Sequence, residues 1–138
     1  MLITRKAEFS ASHVCAQPSL TPEQNRALYG PASNPNGHGH NYVLEVTLQG
    51  DPDPATGMVF DLKQLKEIIQ QAVIEPMDHR FLNYEVPPFD KVVPTAENVA
   101  AEIWNRLLPA FQGSRARLEN VRLYETEDLY VDCTGDRR

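Results

Sequence analysis

From His40 to Leu48 the chain alternates, with Tyr42, Leu44, Val46 and Leu48 on one parity and Val43, Glu45 and Thr47 on the other. A period of two with one apolar parity is satisfied by a strand that turns a single face to a core. The opening segment repeats the pattern, placing Ile3, Ala7, Phe9, Ala11 and His13 against Thr4, Lys6, Glu8, Ser10 and Ser12. Two shorter alternating stretches close the chain. Val121, Leu123 and Glu125 share one face of the first, and Leu129, Val131 and Cys133 share one face of the second, with a tight turn near Glu127 and Asp128.

Between these strands lie two helical patterns. Asp61 is placed to cap the first, with Gln64 at the capping-box position and Leu62, Leu65, Ile68, Ile69, Ala72 and Val73 at helical spacing. Thr95 caps the second, which carries Val99, Ile103, Trp104, Leu107 and Leu108 before Pro109. The expected fold class is therefore α+β, in the order strand, strand, helix, helix, strand, strand. Both helices pack on one face of a four-stranded antiparallel sheet. A sheet this small leaves edges that pairing with other subunits would protect.

The 138 residues fit one domain, taken as 1–138, with 41% hydrophobic residues available for its core. No apolar run is long enough to span a bilayer and the first residues lack the apolar stretch of a secretory signal, so the expectation is a soluble, cytoplasmic protein that binds no membrane. Nineteen acidic against thirteen basic residues give a formal charge of −6, with the basic residues scattered, which argues against a nucleic-acid partner. Two distant cysteines, Cys15 and Cys133, make neither a disulfide framework nor a cysteine zinc cluster.

Metal chemistry must then rest on histidine. His38 and His40 stand two apart at the mouth of a strand, so both imidazoles leave the same face. His13 ends another strand on its apolar parity, where an unpaired imidazole would be costly. Three neutral imidazoles leave a fourth zinc position open, the pattern of a catalytic site. The loop from Gln17 to Gly37, with Pro18, Pro22, Gly30, Pro31 and Pro35 and a short helical piece around Glu23 to Leu28, is of a length that usually carries function.

Phe9-Ser10-Ala11-Ser12-His13 and Asn34-Pro35-Asn36-Gly37-His38-Gly39-His40-Asn41-Tyr42 resemble the zinc motifs of the 6-pyruvoyl-tetrahydropterin synthase and 6-carboxy-tetrahydropterin synthase family. Gly57-Met58-Val59-Phe60-Asp61-Leu62, Met77-Asp78-His79, Pro94-Thr95-Ala96-Glu97-Asn98 and Tyr124-Glu125-Thr126 follow in that family's order. The resemblance implies a tunnelling fold (T-fold), assembled as a homohexamer from two trimers. It also implies a lyase acting on dihydroneopterin triphosphate or a related pterin, in a tetrahydrobiopterin-like, queuosine or folate route. By similarity His13, His38 and His40 hold Zn2+, Asp78 and His79 form a proton relay, and Glu125 anchors the pterin with Thr95 and Glu97.

Other readings of these residues are an Asp-His pair at a helix end, a buried ion-pair partner at Glu125 and a plain helix cap at Thr95. The family's catalytic cysteine slot is occupied here by Ala32, which has no titratable group. Cys15, two residues beyond His13 on the same parity, is a candidate base, a candidate fourth ligand or a buried core thiol. The alternative to an enzyme is a non-catalytic pterin sensor or carrier.

Overall fold

In the computed structural model, which describes residues 1–135, β1 (Leu2–His13) and β2 (His38–Gln49) form a long antiparallel pair. β4 (Arg117–Thr126) extends the sheet from β2, and β5 (Leu129–Cys133) extends it from β4. On the other side of β1 runs β3 (Arg80–Phe81), parallel to it at Ala11 and Ser12. The sheet is thus five-stranded and mixed, in the order β3-β1-β2-β4-β5, rather than four-stranded and antiparallel. A two-residue strand is too short to express a period of two, which is why β3 leaves no trace in the hydropathy pattern.

The helices also outnumber the expected two. α1 (Pro22–Tyr29) lies in the β1–β2 connection, where Thr21 and Gln24 make a reciprocal capping box. α2 (Leu62–Ile69) starts at Asp61, whose carboxylate accepts from the Lys63 amide, so the box expected at Gln64 is absent. Between α2 and the short α3 (Glu75–Met77) the helix widens into one π turn, Gln70–Ile74, in which the Glu75 amide reaches back to the Gln70 carbonyl. Pro76 accounts for the widening, because a proline ring in a regular helix collides with the carbonyl four residues earlier. The wide turn also lets a four-residue spacing hold one line, so that Leu65, Ile69, Val73 and Met77 are all buried. Leu62, one residue off that line, is exposed.

After α4 (Leu82–Glu85), Thr95 caps α5 (Ala96–Leu107) by accepting from the Asn98 amide. α5 buries Val99, Ala100, Ile103, Trp104 and Leu107. These side chains meet Tyr42, Leu44, Val46 and Leu48 of β2 and Val121 and Leu123 of β4 in one apolar cluster. The opposite face of the sheet carries charged and polar side chains. Cys133 lies half-buried at the margin of the core rather than within it.

Leu44 is fully buried at the centre of this packing. Leu44→Ala should therefore destabilise the fold by about 3 kcal/mol through lost transfer energy and the cavity it leaves. Urea unfolding of the two proteins measures the difference, and a loss below about 1 kcal/mol would show that the cluster collapses around the gap.

Candidate metal centre

The ladder between β1 and β2 sets His13 opposite His38 and Ala11 opposite His40. Residues directly opposite in an antiparallel pair share a face, so all three imidazoles rise from the same side of the sheet. Gly37 makes the entry to β2 possible. Its φ is 78°, and a Cβ there would sit 2.9 Å from the Phe81 ring.

The three rings converge through Nε2. His13 Nε2 lies 3.0 Å from His38 Nε2 and 3.1 Å from His40 Nε2. The other ring nitrogen of His13 is 2.7 Å from the Pro94 carbonyl oxygen. A carbonyl only accepts, so Nδ1 carries the proton and Nε2 presents its lone pair to the other two rings. His13 is 1% exposed, and burial pushes its pKa down to about 4, helped by His38 and His40 and opposed by the Pro94 hydrogen bond. Burial also lowers His40, against the pull of Glu125, with His38 adding to the lowering. His13 is thus neutral across the physiological range.

Such a group fits a metal ion. Tetrahedral zinc with bonds of about 2.0–2.1 Å holds its ligand atoms about 3.3 Å apart, close to the spacings above. An imidazole whose second nitrogen donates to a backbone carbonyl is the usual form of a ligating histidine. Among the described residues, His13, His38 and His40 are the set of histidine, cysteine or carboxylate side chains whose ligand atoms gather within 4.8 Å.

Glu125 completes the rim. A register shift in the β4–β5 pairing between Tyr124 and Thr126 makes it the extra residue of a bulge, and its Oε1 stands 3.8 Å from His40 Nε2. Its carboxylate also contributes to raising the pKa of the Tyr42 hydroxyl and of the Cys15 thiol. Tyr42 is fully buried and its hydroxyl has no hydrogen-bond partner among the described residues. Parity alone marks Tyr42 as core; only the surrounding side chains reveal an unsatisfied polar group at the edge of the site.

Cys15 lies behind the centre. Its sulfur is 4.0 Å from His13 Nδ1, the nitrogen already committed to Pro94, and not beside the converging Nε2 atoms. Its amide donates to the Ala32 carbonyl at 2.9 Å, so the strand end and the loop carrying Ala32 touch directly. Burial raises the thiol to about 11, and Glu125 and Glu97 raise it further. Thr95 is half-buried as the cap of α5, and Glu97 is exposed in that helix's first turn.

Asp78 and His79 sit elsewhere on the sheet. The Ser10 amide donates to Asp78 Oδ1 at 2.9 Å, and the His79 amide donates to the Ser10 carbonyl at 2.6 Å. Asp78 Oδ2 is 3.0 Å from His79 Nδ1, and the carboxylate is held below its usual range first by the Ser10 amide and then by His79. His79 is exposed with a φ of 61°, a conformation rare for a residue bearing a Cβ. It borders a shallow depression of about 470 Å³ with Ser10, Ser12 and Asn41, on the parity opposite that of His13, and with Ala11 and His40, on the same parity. One chain therefore gathers the three histidines, Glu125 and Cys15, while Asp78 and His79 sit at the outer edge of β1 beside a depression that also meets His40. A cavity of about 960 Å³ beside Arg26, Tyr84 and Asp90 is lined by none of these residues.

A family model described as 6-pyruvoyl tetrahydropterin synthase matches residues 2–136. The chain is 44% identical to a human 6-pyruvoyl tetrahydrobiopterin synthase over 137 residues, covering 97% of this chain and 91% of the relative. It is 28% identical to a 6-carboxy-5,6,7,8-tetrahydropterin synthase of Rickettsia bellii, covering 94% and 96% of the two chains. The solved Caenorhabditis elegans 6-pyruvoyl tetrahydropterin synthase superposes with a TM-score of 0.92 at 35% identity, over 99% of this chain and 96% of that one. With its residues matched almost from end to end, this chain belongs to the 6-pyruvoyl tetrahydropterin synthase family.

Proposed function

We propose that the protein is a zinc-dependent lyase of pterin metabolism, acting in the cytoplasm on dihydroneopterin triphosphate or a related pterin. The observation that supports this most is the convergence of three imidazole nitrogens beside the Glu125 carboxylate, with His13 held neutral by burial. His13, His38 and His40 would hold the ion, which when bound supplies Lewis acidity to oxygen atoms of the substrate side chain.

The remaining roles belong to the chain's own side chains. Glu125 accepts from the adjacent N–H donors of the pterin ring, which match a carboxylate in bidentate fashion. Thr95 and Glu97, at the start of α5, are assigned to the ring's remaining polar contacts by resemblance. Asp78 orients the His79 imidazole through their 3.0 Å contact and supports its charge when it takes a proton. His79 rather than Cys15 is assigned as the base, because a thiol raised to about 11 keeps its proton at neutral pH. Assembly into a homo-oligomer, a hexamer of two stacked trimers by resemblance, belongs to the same reading.

Incubation of zinc-loaded protein with dihydroneopterin triphosphate, following triphosphate release and the mass of the pterin product, tests the reading. Turnover with a defined product is expected; tight binding without release would make the protein a pterin carrier. His79→Ala should reduce kcat by about 100-fold or more, as loss of a positioned proton-transfer group does, whereas Cys15→Ser should leave it within about threefold on the same scale. An equal loss in both variants would return the base role to Cys15.

The histidine burial carries a pH signature in the metal-stripped protein. His13 binds a proton less readily when folded, at about 4 against 6.5, so between those values the unfolded chain holds more protons. Stability contributed by neutral His13 is complete above about pH 6.5 and is lost as pH falls toward about 4. Melting temperatures of the stripped protein should fall across this window, and less so in His13→Asn. Identical slopes in the two proteins would count against a buried neutral His13.

A further inference from the structure

Strand register sets a row of three side chains one step below the histidines. Phe9 lies opposite Tyr42, and one further step along the β2–β4 ladder, past its last pair of Val43 and Tyr124, brings Glu125 level with Tyr42. Residues level with one another across antiparallel strands share a face. Phe9, Tyr42 and Glu125 therefore stand on the side of the sheet that carries His40, and the Glu125 carboxylate reaches that ring.

The Tyr42 ring is held firmly in this row. It stacks on Phe9 with ring centroids 4.9 Å apart and planes 11° apart, and it meets the His40 ring edge-on at 5.6 Å. Its hydroxyl is thus fixed in place, fully buried, and without a hydrogen-bond partner among the described residues. Burying a hydroxyl unpaired is costly, and the ring cannot turn to relieve it.

We propose that Tyr42 is a positioning residue whose hydroxyl donates to the Glu125 carboxylate when a pterin ring is bound, fixing the plane in which that carboxylate meets the ring. The inference rests on the pterin-anchoring role proposed above for Glu125 and adds the group that holds the anchor.

The neighbouring acceptors leave Glu125 as the match. The Nε2 atoms of the three histidines converge on one another, and His13 Nδ1 is committed to the Pro94 carbonyl. The Cys15 sulfur is a weak acceptor. Glu125 Oε1 stands 3.8 Å from His40 Nε2, longer than a hydrogen bond, so that contact does not fix the carboxylate. As the extra residue of a bulge, Glu125 also lacks the regular pairing that would orient its side chain. A carboxylate has about four lone-pair positions, so two N–H bonds from the ring leave room for one O–H bond from Tyr42. Burial first, and the Glu125 charge second, raise the pKa of the Tyr42 hydroxyl, which keeps its proton and can serve as the donor.

Tyr42→Phe removes one oxygen and keeps the stack on Phe9. The wild type, Tyr42→Phe, Glu125→Gln and the double variant are made in the full chain and loaded with zinc. Neopterin affinity is measured by equilibrium dialysis, beside zinc content and melting temperature. Tyr42→Phe is expected to keep its zinc and to melt no lower than the wild type, while its neopterin Kd rises about tenfold, the size of a hydrogen bond to a charged group. In the Glu125→Gln background the same change should raise Kd only about threefold, because a neutral acceptor holds a hydroxyl about half as strongly. An equal factor in both backgrounds would overturn the inference, since Tyr42 would then act through some other group. Wild-type affinity in Tyr42→Phe would overturn it too, leaving the hydroxyl an unmet polar group of the core. A wild-type protein that binds no neopterin would overturn the pterin reading of Glu125 itself.

Discussion

The pairing of β1 with β2 is the constraint on which the rest of the molecule depends. Twelve residue pairs run from Leu2 opposite Gln49 to His13 opposite His38, and a slip of one residue would send every side chain to the other face. What prevents the slip is hydrophobic: Phe9 and Ala11 must share a face with Tyr42, Leu44, Val46 and Leu48, all buried under α2 and α5. The convergence of the three histidines is a by-product of that packing. Once the apolar parity is in the core, His13, His38 and His40 have nowhere to point but toward one another.

Keeping them there requires unfavourable groups to be tolerated near the core. An imidazole of 1% exposure is stable because it is neutral and because Pro94, just before the cap of α5, accepts its proton-bearing nitrogen. Close by, Tyr42 keeps a hydroxyl without a partner, and at the other edge of β1 His79 keeps a positive φ. Strain and unmet hydrogen bonds of this type concentrate where a protein binds or transforms something. Their position around one end of the β1–β2 pair follows that rule.

The two faces of the sheet divide the labour. The helix side supplies stability and the histidine cluster, while the other side carries an alternating row of charge.

Much of this was legible in the residues themselves. Strands β1, β2, β4 and β5, the caps at Asp61 and Thr95, and the grouping of His13 with His38 and His40 all follow from periods of two and 3.6 and from capping chemistry, which act over a few residues. What stayed hidden depends on partners distant in the chain or on departures from a period. β3 exists only because Arg80 and Phe81 meet β1, and the π turn departs from the 3.6 period where Pro76 follows it. Glu125 comes to His40 through a bulge, His13 takes its tautomer from the Pro94 backbone, and Asp78 and His79 bind the Ser10 backbone at the outer edge of β1. The sequence by itself determined which side chains share a face, because that is written in local spacing. Only the tertiary structure decided which faces and edges meet, because backbone groups and long-range pairings leave no periodic mark on the residues that make them.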